Sequence, residues 1–367
     1  MSNKRFLALD SLRGICALLV ALYHLNGYGY APPVAILRNA DLFVDFFFVL
    51  SGFVIAHIYR YKIVDAASLG SFLLKRLGRI WPLNFATLLA FVAAVFLARC
   101  VGIALAEPAR YDSGAILPNL LLIQSLGVLD HLTWNFPSWS VSAEFFAYIL
   151  FGVFCLTIAR RRAAVALGLI ALCLGILLVW SPKGLAATYD FGLFRCIAGF
   201  FCGYLVRQLL DQAAGKPPAA SLLELGAVLS VVLFVIHAGD KDLQFAGPFL
   251  FAMTVFVFAF EAGLLSAVLK SAPCLFLGRI SYSIYMVHAL VLTLLKAAVP
   301  HLHWLDALPD GAKKACLTPI FLAAVVAISA VTYRVIELPG MRAAGIWASR
   351  ISSHGPGKRP QSEGSRS

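Results

Sequence analysis

The chain has 367 residues, of which 61% are hydrophobic and 13% charged. A soluble domain runs roughly 45–50% apolar and about 25% charged, so this composition excludes a disordered chain, a collagen-like chain, a coiled coil and an ordinary cytosolic enzyme. The net charge is +12, from 30 Lys+Arg against 18 Asp+Glu. The basic residues gather in short connections between apolar runs, which reads as membrane topology and not as a nucleic-acid partner.

Apolar segments fall at about 7–26, 42–60, 82–104, 140–158, 163–180, 190–210, 221–238, 243–262, 282–299 and 315–335, mostly near the ~18 residues needed to cross hydrocarbon. They predict an all-α polytopic membrane protein with about ten transmembrane helices. The stretch 115–129 is shorter and holds Pro118 and Gln124, as a re-entrant or interfacial segment would. Lys and Arg concentrate in alternate connections (Arg60, Lys62, Lys75, Arg76 and Arg79; then Arg160, Arg161 and Arg162; then Arg342 and Arg350), while the opposite set holds only scattered cations such as Arg38, Arg110 and Lys183. By the positive-inside rule both termini are expected to be cytoplasmic. No signal-peptide cleavage pattern follows the first apolar run. One membrane domain is expected over 1–340, followed by a cytoplasmic, disordered tail over 341–367 that is rich in Ser, Gly, Pro and basic residues. The eight cysteines lie mostly inside apolar runs without a CxxC pair, and read as small core residues with no metal or disulfide role.

Polar residues inside the spans carry the information, because an ionisable group at the centre of a span costs roughly 2.5–3.5 kcal/mol on insertion scales. The first span holds Asp10, Arg13 and His24. Arg13 and His24 are eleven residues apart, which puts them on one helix face and about 16 Å apart along the axis. A snorkelling Arg and an interfacial His would explain the pair equally well. Asp45 opens the second span at about the depth of His24, where it would orient the imidazole or serve as a cap. Trp139 is expected at the outer interface, with Glu144 just inside it as a third ionisable group of the outer layer; a Glu bonded to a neighbouring helix is the competing account. Arg76 and Arg79, preceding the third span, and Arg279, opening GRISYSIYMVH, line the inner side, where an Arg fork suits an anionic ligand. His288 reads as a core histidine bonded to a neighbour.

Arginines on one side and a His between carboxylates on the other suggest acyl transfer. Cytoplasmic acyl-CoA would be held by the arginines, and His24 would act on an acceptor hydroxyl as general base or carry the acyl group itself. This requires His24 to be reachable by a thioester delivered from the opposite compartment. A transporter or flippase for a polar lipid or glycan would also place ionisable groups along an internal path, but would move its cargo without consuming acyl-CoA. A receptor-like or structural protein would leave the outer His and carboxylates unexplained.

Six blocks occur in order: LDSLRGICALLVALYH, VDFFFVLSGFVIA, RLGRIWPL, PSWSVSAEFFAY, GRISYSIYMVH and YRVIELP. With them the chain resembles the integral-membrane acyltransferase-3 family, whose members O-acylate surface glycans, lipopolysaccharide and some natural products. The resemblance implies that His24 is the catalytic histidine and Arg13 its essential partner. It also implies that Asp45 and Glu144 are acidic site residues, and that Arg13, Arg76, Arg79 and Arg279 serve the acyl-CoA end. Glu337 falls in the terminal I-E-x-P block; Arg195, Tyr282 and His288 fall in less strict blocks. It further implies a bacterial-type inner-membrane O-acetyltransferase with acetyl-CoA as donor substrate and no tightly bound cofactor. The acceptor would be a glycan or other hydroxyl compound, membrane lipid would surround the protein, and self-association stays open. The MVHALVL block lacks the tryptophans common there, and Leu338 stands where a basic residue is common; both bear on the acceptor more than on the chemistry. Fewer than about forty residues follow the last predicted span, well below domain size, so transfer is expected to finish without an added extracytoplasmic domain.

Overall fold

The computed structural model describes residues 5–103, 105, 107–213 and 215–353. In chain order its α-helices are α1 (Leu7–Gly27), α2 (Phe43–Tyr59), α3 (Ala66–Cys100), α4 (Ile116–Leu120), α5 (Trp139–Thr157), α6 (Arg162–Trp180) and α7 (Gly192–Gln212). They continue with α8 (Ala220–His237), α9 (Lys241–Gln244), α10 (Gly247–Ala259), α11 (Leu264–Leu269), α12 (Ala272–Ala298), α13 (Asp310–Thr332) and α14 (Leu338–Ser353). Among the described residues ten helical segments are long and apolar enough to cross a membrane. Each overlaps one of the ten predicted spans.

The two most enclosed spans, α2 and α7, form the centre of the bundle. α7 packs on α2, α5, α6 and α10. A Cβ added at Gly52 would lie 1.8 Å from the Phe200 carbonyl oxygen, and one at Gly203 would lie 1.8 Å from that of Val49; only glycine lets the two backbones approach this closely. Outer helices show the reverse. Leu172 and Leu178 of α6, Leu229 and Leu233 of α8, and Ile328 and Val331 of α13 are exposed, an apolar outer surface suited to lipid and not to water.

α1 and α12 form a second close pair. A Cβ at Gly14 would meet the Leu277 carbonyl carbon at 2.5 Å, and one at Gly278 would meet the Asp10 carbonyl oxygen at 2.5 Å. Residues 14 and 278 touch, and ten residues further along each chain His24 meets His288. The two helices therefore run parallel and in register.

Three spans start or end away from their predicted limits. α3 begins at Ala66 and not near residue 82, so Arg76 and Arg79 lie inside a 35-residue helix. Asp65 starts it with a capping box, its carboxylate accepting from the Ser68 N–H at 2.8 Å. Arg is a good helix former, and both arginines face the bundle interior, so a polar stretch does not mark a loop here. α12 likewise begins at Ala272, which places Arg279 within a helix. The expected tail is in part a helix: Leu338–Ser353 packs along α3, with Ala344 against Gly78 and Gly340 against Pro82. The pairing of small residues on α3 and α14 is invisible in the local composition of the tail. Residues 354–367, together with Lys358 and Arg359, lie outside the described residues.

The segment 115–129 turns back into the bundle. Asn84 donates to the Asn119 carbonyl at 3.1 Å and Trp81 to the Leu120 carbonyl at 3.0 Å. Those residues stand sixteen or more positions before the end of α3, at least about 24 Å from it along the helix. Most of its buried polar groups are bonded locally: Asn119 to Thr133, Gln124 Nε2 to Ser138, and Ser125 to Ser142; Gln124 Oε1 has no protein partner.

Candidate active site

A cleft of about 130 Å³ lies between α1, α2, α3, α5 and α12. Arg13, Arg76 and Arg79 line it together with Ser51, Glu144, Tyr148, Ser281 and Tyr282. Each arginine is positioned by its neighbours. Arg13 donates to Ser281 Oγ at 2.8 Å and to the Gly278 carbonyl at 3.1 Å, and pairs with Asp10 one helical turn before it at 3.5 Å. Arg79 is paired with Glu337 and lies over the Tyr282 ring at 5.3 Å. Glu337 is in turn held by Ser283 at 2.9 Å. It ends a π-helical turn, Tyr333–Glu337, between α13 and α14, a bulge of the kind often found at functional sites. Arg76 stacks over Tyr59 at 5.5 Å and its buried Nε has no protein partner, which leaves a donor for an anion.

Arg279 is exposed and does not line the cleft. At 100° per residue it lies on the far side of α12 from Ser281, Tyr285 and His288.

Glu144 lines the arginine cleft and accepts from the Tyr148 hydroxyl at 2.6 Å. It is thus not in a layer with His24. An outer-layer depth for Glu144 requires Trp139 at the interface, whereas Trp139 is 6% exposed, set against Phe48 and under Arg195. The 113–138 segment covers the start of α5, so the tryptophan is interior.

Asp45 does not orient His24 either. It is fully buried and takes two hydrogen bonds of 2.8 Å from Arg195, which also donates to the Ala187 carbonyl. Asp45 stands on the opposite side of α2 from Phe47, Ser51 and Val54, which face the cleft. The carboxylate therefore serves the α2–α7 contact.

His24 is half-buried, and its Nδ1 lies 3.0 Å from Nε2 of His288, the ring planes being within 20° of each other and their centroids 5.1 Å apart. Phe136 meets the His24 ring edge-on at 4.8 Å and carries Arg110 over its other side at 4.6 Å. His288 is thus a core histidine bonded to a neighbour, as the sequence leads one to expect, and the neighbour is His24. The signal that pointed to it is arithmetic: His288 follows Gly278 by the same ten residues that separate His24 from Gly14.

The cleft does not reach His24. It closes at Phe47, Ser140 and Tyr285, with the Tyr285 hydroxyl 2.8 Å from Ser140 Oγ and donating to the Pro137 carbonyl at 3.1 Å. The Tyr285 ring is 5.8 Å from that of His288. One layer of aromatic side chain separates the arginine cleft from the histidine pair.

On the far side of that pair, Glu107 gathers the chain. It accepts from the Tyr28 hydroxyl at 2.6 Å and from Lys296 at 3.1 Å, and pairs with Arg110 at 2.5 Å. Burial raises the Glu107 carboxyl, but these donors outweigh it and hold the group below the ordinary glutamate value.

No solved structure matches the chain. An acyltransferase of Streptomyces mycarofaciens is 26% identical over 377 residues, covering 93% of both chains. A protein of Staphylococcus aureus strain COL, named as a candidate O-acetyltransferase, is 24% identical over 362 residues; the match covers 90% of this chain and 56% of that protein, so this chain spans little more than half the length of such relatives. A Rhizobium radiobacter protein of the picA locus is 38% identical over 95 residues, 26% of this chain and 47% of its own. A family model for an acyltransferase domain matches residues 6–334, nearly the whole helical bundle just described. The chain belongs to this family and is an integral-membrane acyltransferase.

Proposed function

We propose that the protein moves an acetyl group from cytoplasmic acetyl-CoA to a hydroxyl of a glycan or glycosylated acceptor on the other side of a bacterial-type inner membrane, with both termini cytoplasmic. The observation that carries this reading is the separation of two polar layers on the parallel helices α1 and α12. Arg13 and Ser281 join at one level, while His24 and His288 join at another, about 16 Å further along α1 and about 10 Å further along α12. Arg76 and Arg79, with Arg13, would hold the phosphates of the donor. The pantetheine arm would extend along the cleft toward Tyr285, whose side chain has to yield for the thioester to reach His24.

In this mechanism His24 removes the acceptor hydroxyl proton as its oxygen attacks the thioester carbonyl. The ester bond forms, the carbon–sulfur bond breaks, and the departing thiolate takes back the proton. Name similarity supports the donor and acceptor classes: the staphylococcal relatives are named for O-acetyl transfer.

Mass spectrometry of surface glycans from cells with and without the protein tests the reading, the expected difference being one acetyl increment. His24→Ala should abolish it with membrane insertion intact, and an active His24→Ala protein would contradict the assignment. Arg76→Ala and Arg79→Ala should each raise the KM for acetyl-CoA, by about tenfold for the loss of one charged hydrogen bond. An unchanged KM in both removes them from the donor site.

A further inference from the structure

Among the described residues no carboxylate is bonded to His24, yet a general base needs one ring nitrogen kept bare. The surroundings of His288 decide which nitrogen that is. His288 Nδ1 lies 3.2 Å from the Ile284 carbonyl oxygen. A carbonyl only accepts, so in the neutral ring Nδ1 carries the proton and Nε2 is the lone-pair nitrogen. That lone pair faces His24 Nδ1 at 3.0 Å, and the bond forms only if His24 Nδ1 donates. The proton order along the chain of contacts is then fixed: Ile284 carbonyl, His288 Nδ1–H, His288 Nε2, His24 Nδ1–H, His24 Nε2.

We propose that His288 is the positioning residue of the reaction: it holds His24 in the Nδ1–H tautomer, presents His24 Nε2 as the reactive nitrogen, and takes the place a carboxylate fills in other histidine-based sites. The register of α1 on α12 builds this arrangement, since both helices advance the same ten residues from the glycine contact to the histidines. When His24 becomes an imidazolium, its Nδ1–H bond to His288 strengthens as a charge-assisted bond. Phe136, packed edge-on against the His24 ring, limits its rotation. The role rests on the reading of His24 as general base.

The test uses the full-length protein, labelled with nitrogen-15 at histidine in detergent micelles, with the His24 resonances assigned by comparison with His24→Asn. Wild type is expected to show Nδ1 protonated and Nε2 bare. His288→Gln, whose side-chain oxygen can accept from Nδ1–H, should keep that tautomer, and His288→Leu should lose it. In cells, glycan acetylation should fall about 100-fold in His288→Leu and recover to within about tenfold of wild type in His288→Gln. A His24 protonated at Nε2 in wild type overturns the proposal and needs no variant to fold. So does an unmoved tautomer in a folded His288→Leu protein, which would mean that the Val20 carbonyl, also bonded to the His24 ring, is sufficient. An active His24→Ala protein overturns the base reading, and the role with it, while leaving the tautomer as measured; that outcome separates the two claims.

Discussion

Asp45 and Arg195 are the most deeply buried ion pair described, 0% and 2% exposed, joined by two hydrogen bonds of 2.8 Å. Bidentate geometry offsets the cost of taking both charges out of water, but removing one partner strands the other and costs about 3–5 kcal/mol. Asp45→Ala is therefore expected to lower the unfolding temperature in detergent and the yield of inserted protein. The double replacement Asp45→Leu, Arg195→Met should recover most of that stability and should retain acetyl transfer, because neither residue lines the cleft. Loss of activity in a stable double variant would place the pair in the chemistry. The sequence showed Asp45 near a span end but not which way it pointed: depth follows from position in a span, whereas direction depends on which neighbour the helix face meets. The same limit applies to Glu144, Arg279 and His288.

Helix contacts made without side chains set the register of the bundle. Gly14 lies against Leu277 and Gly278 so closely that no larger residue fits unless the helices part. Gly14→Leu should force α1 and α12 apart, costing about 1–3 kcal/mol or more, and should abolish acetyl transfer although residue 14 is roughly 15 Å along the helix from His24. Gly168→Leu on α6 is the matched control, since nothing lies within 4 Å of a Cβ there; it should leave expression and activity unchanged. Retained activity in Gly14→Leu would show that the histidine pair does not depend on this register. The Ser51-Gly52 pair reads in the sequence as an ordinary membrane packing signal, but its partner on α7 does not; the Gly199 and Gly203 contacts come from the structure.

Across the whole molecule, Glu107 ties the segment that covers His24 to the ends of α1 and α12 through Tyr28 and Lys296. Its carboxyl is held below 4.5, the ordinary value, so the clasp is fully formed above about that pH. It weakens as pH falls below 4.5 and is lost once the carboxyl protonates at its depressed value. The protection of residues 107–115 against hydrogen exchange, each rate divided by the unfolded chain's rate at the same pH, should therefore be high at neutral pH and fall as pH drops below 4.5. Glu107→Gln should show the low protection already at neutral pH, and equal protection in wild type and Glu107→Gln would remove the clasp.

Composition and hydropathy by themselves determined that the chain is a bundle of ten membrane helices, because the cost of a polar backbone and charged side chains in hydrocarbon is local and large enough to be read one segment at a time. The ordered blocks around Arg13, His24, Arg76 and Arg79 determined the family. Tertiary structure alone decided that His24 meets His288, that Asp45 belongs to Arg195, that Glu144 shares the arginine cleft, and that α14 lies along α3. Each of these depends on the rotation of one helix against another. That rotation is fixed by where glycines let backbones touch, between residues as far apart in sequence as 14 and 278, and no local pattern encodes it.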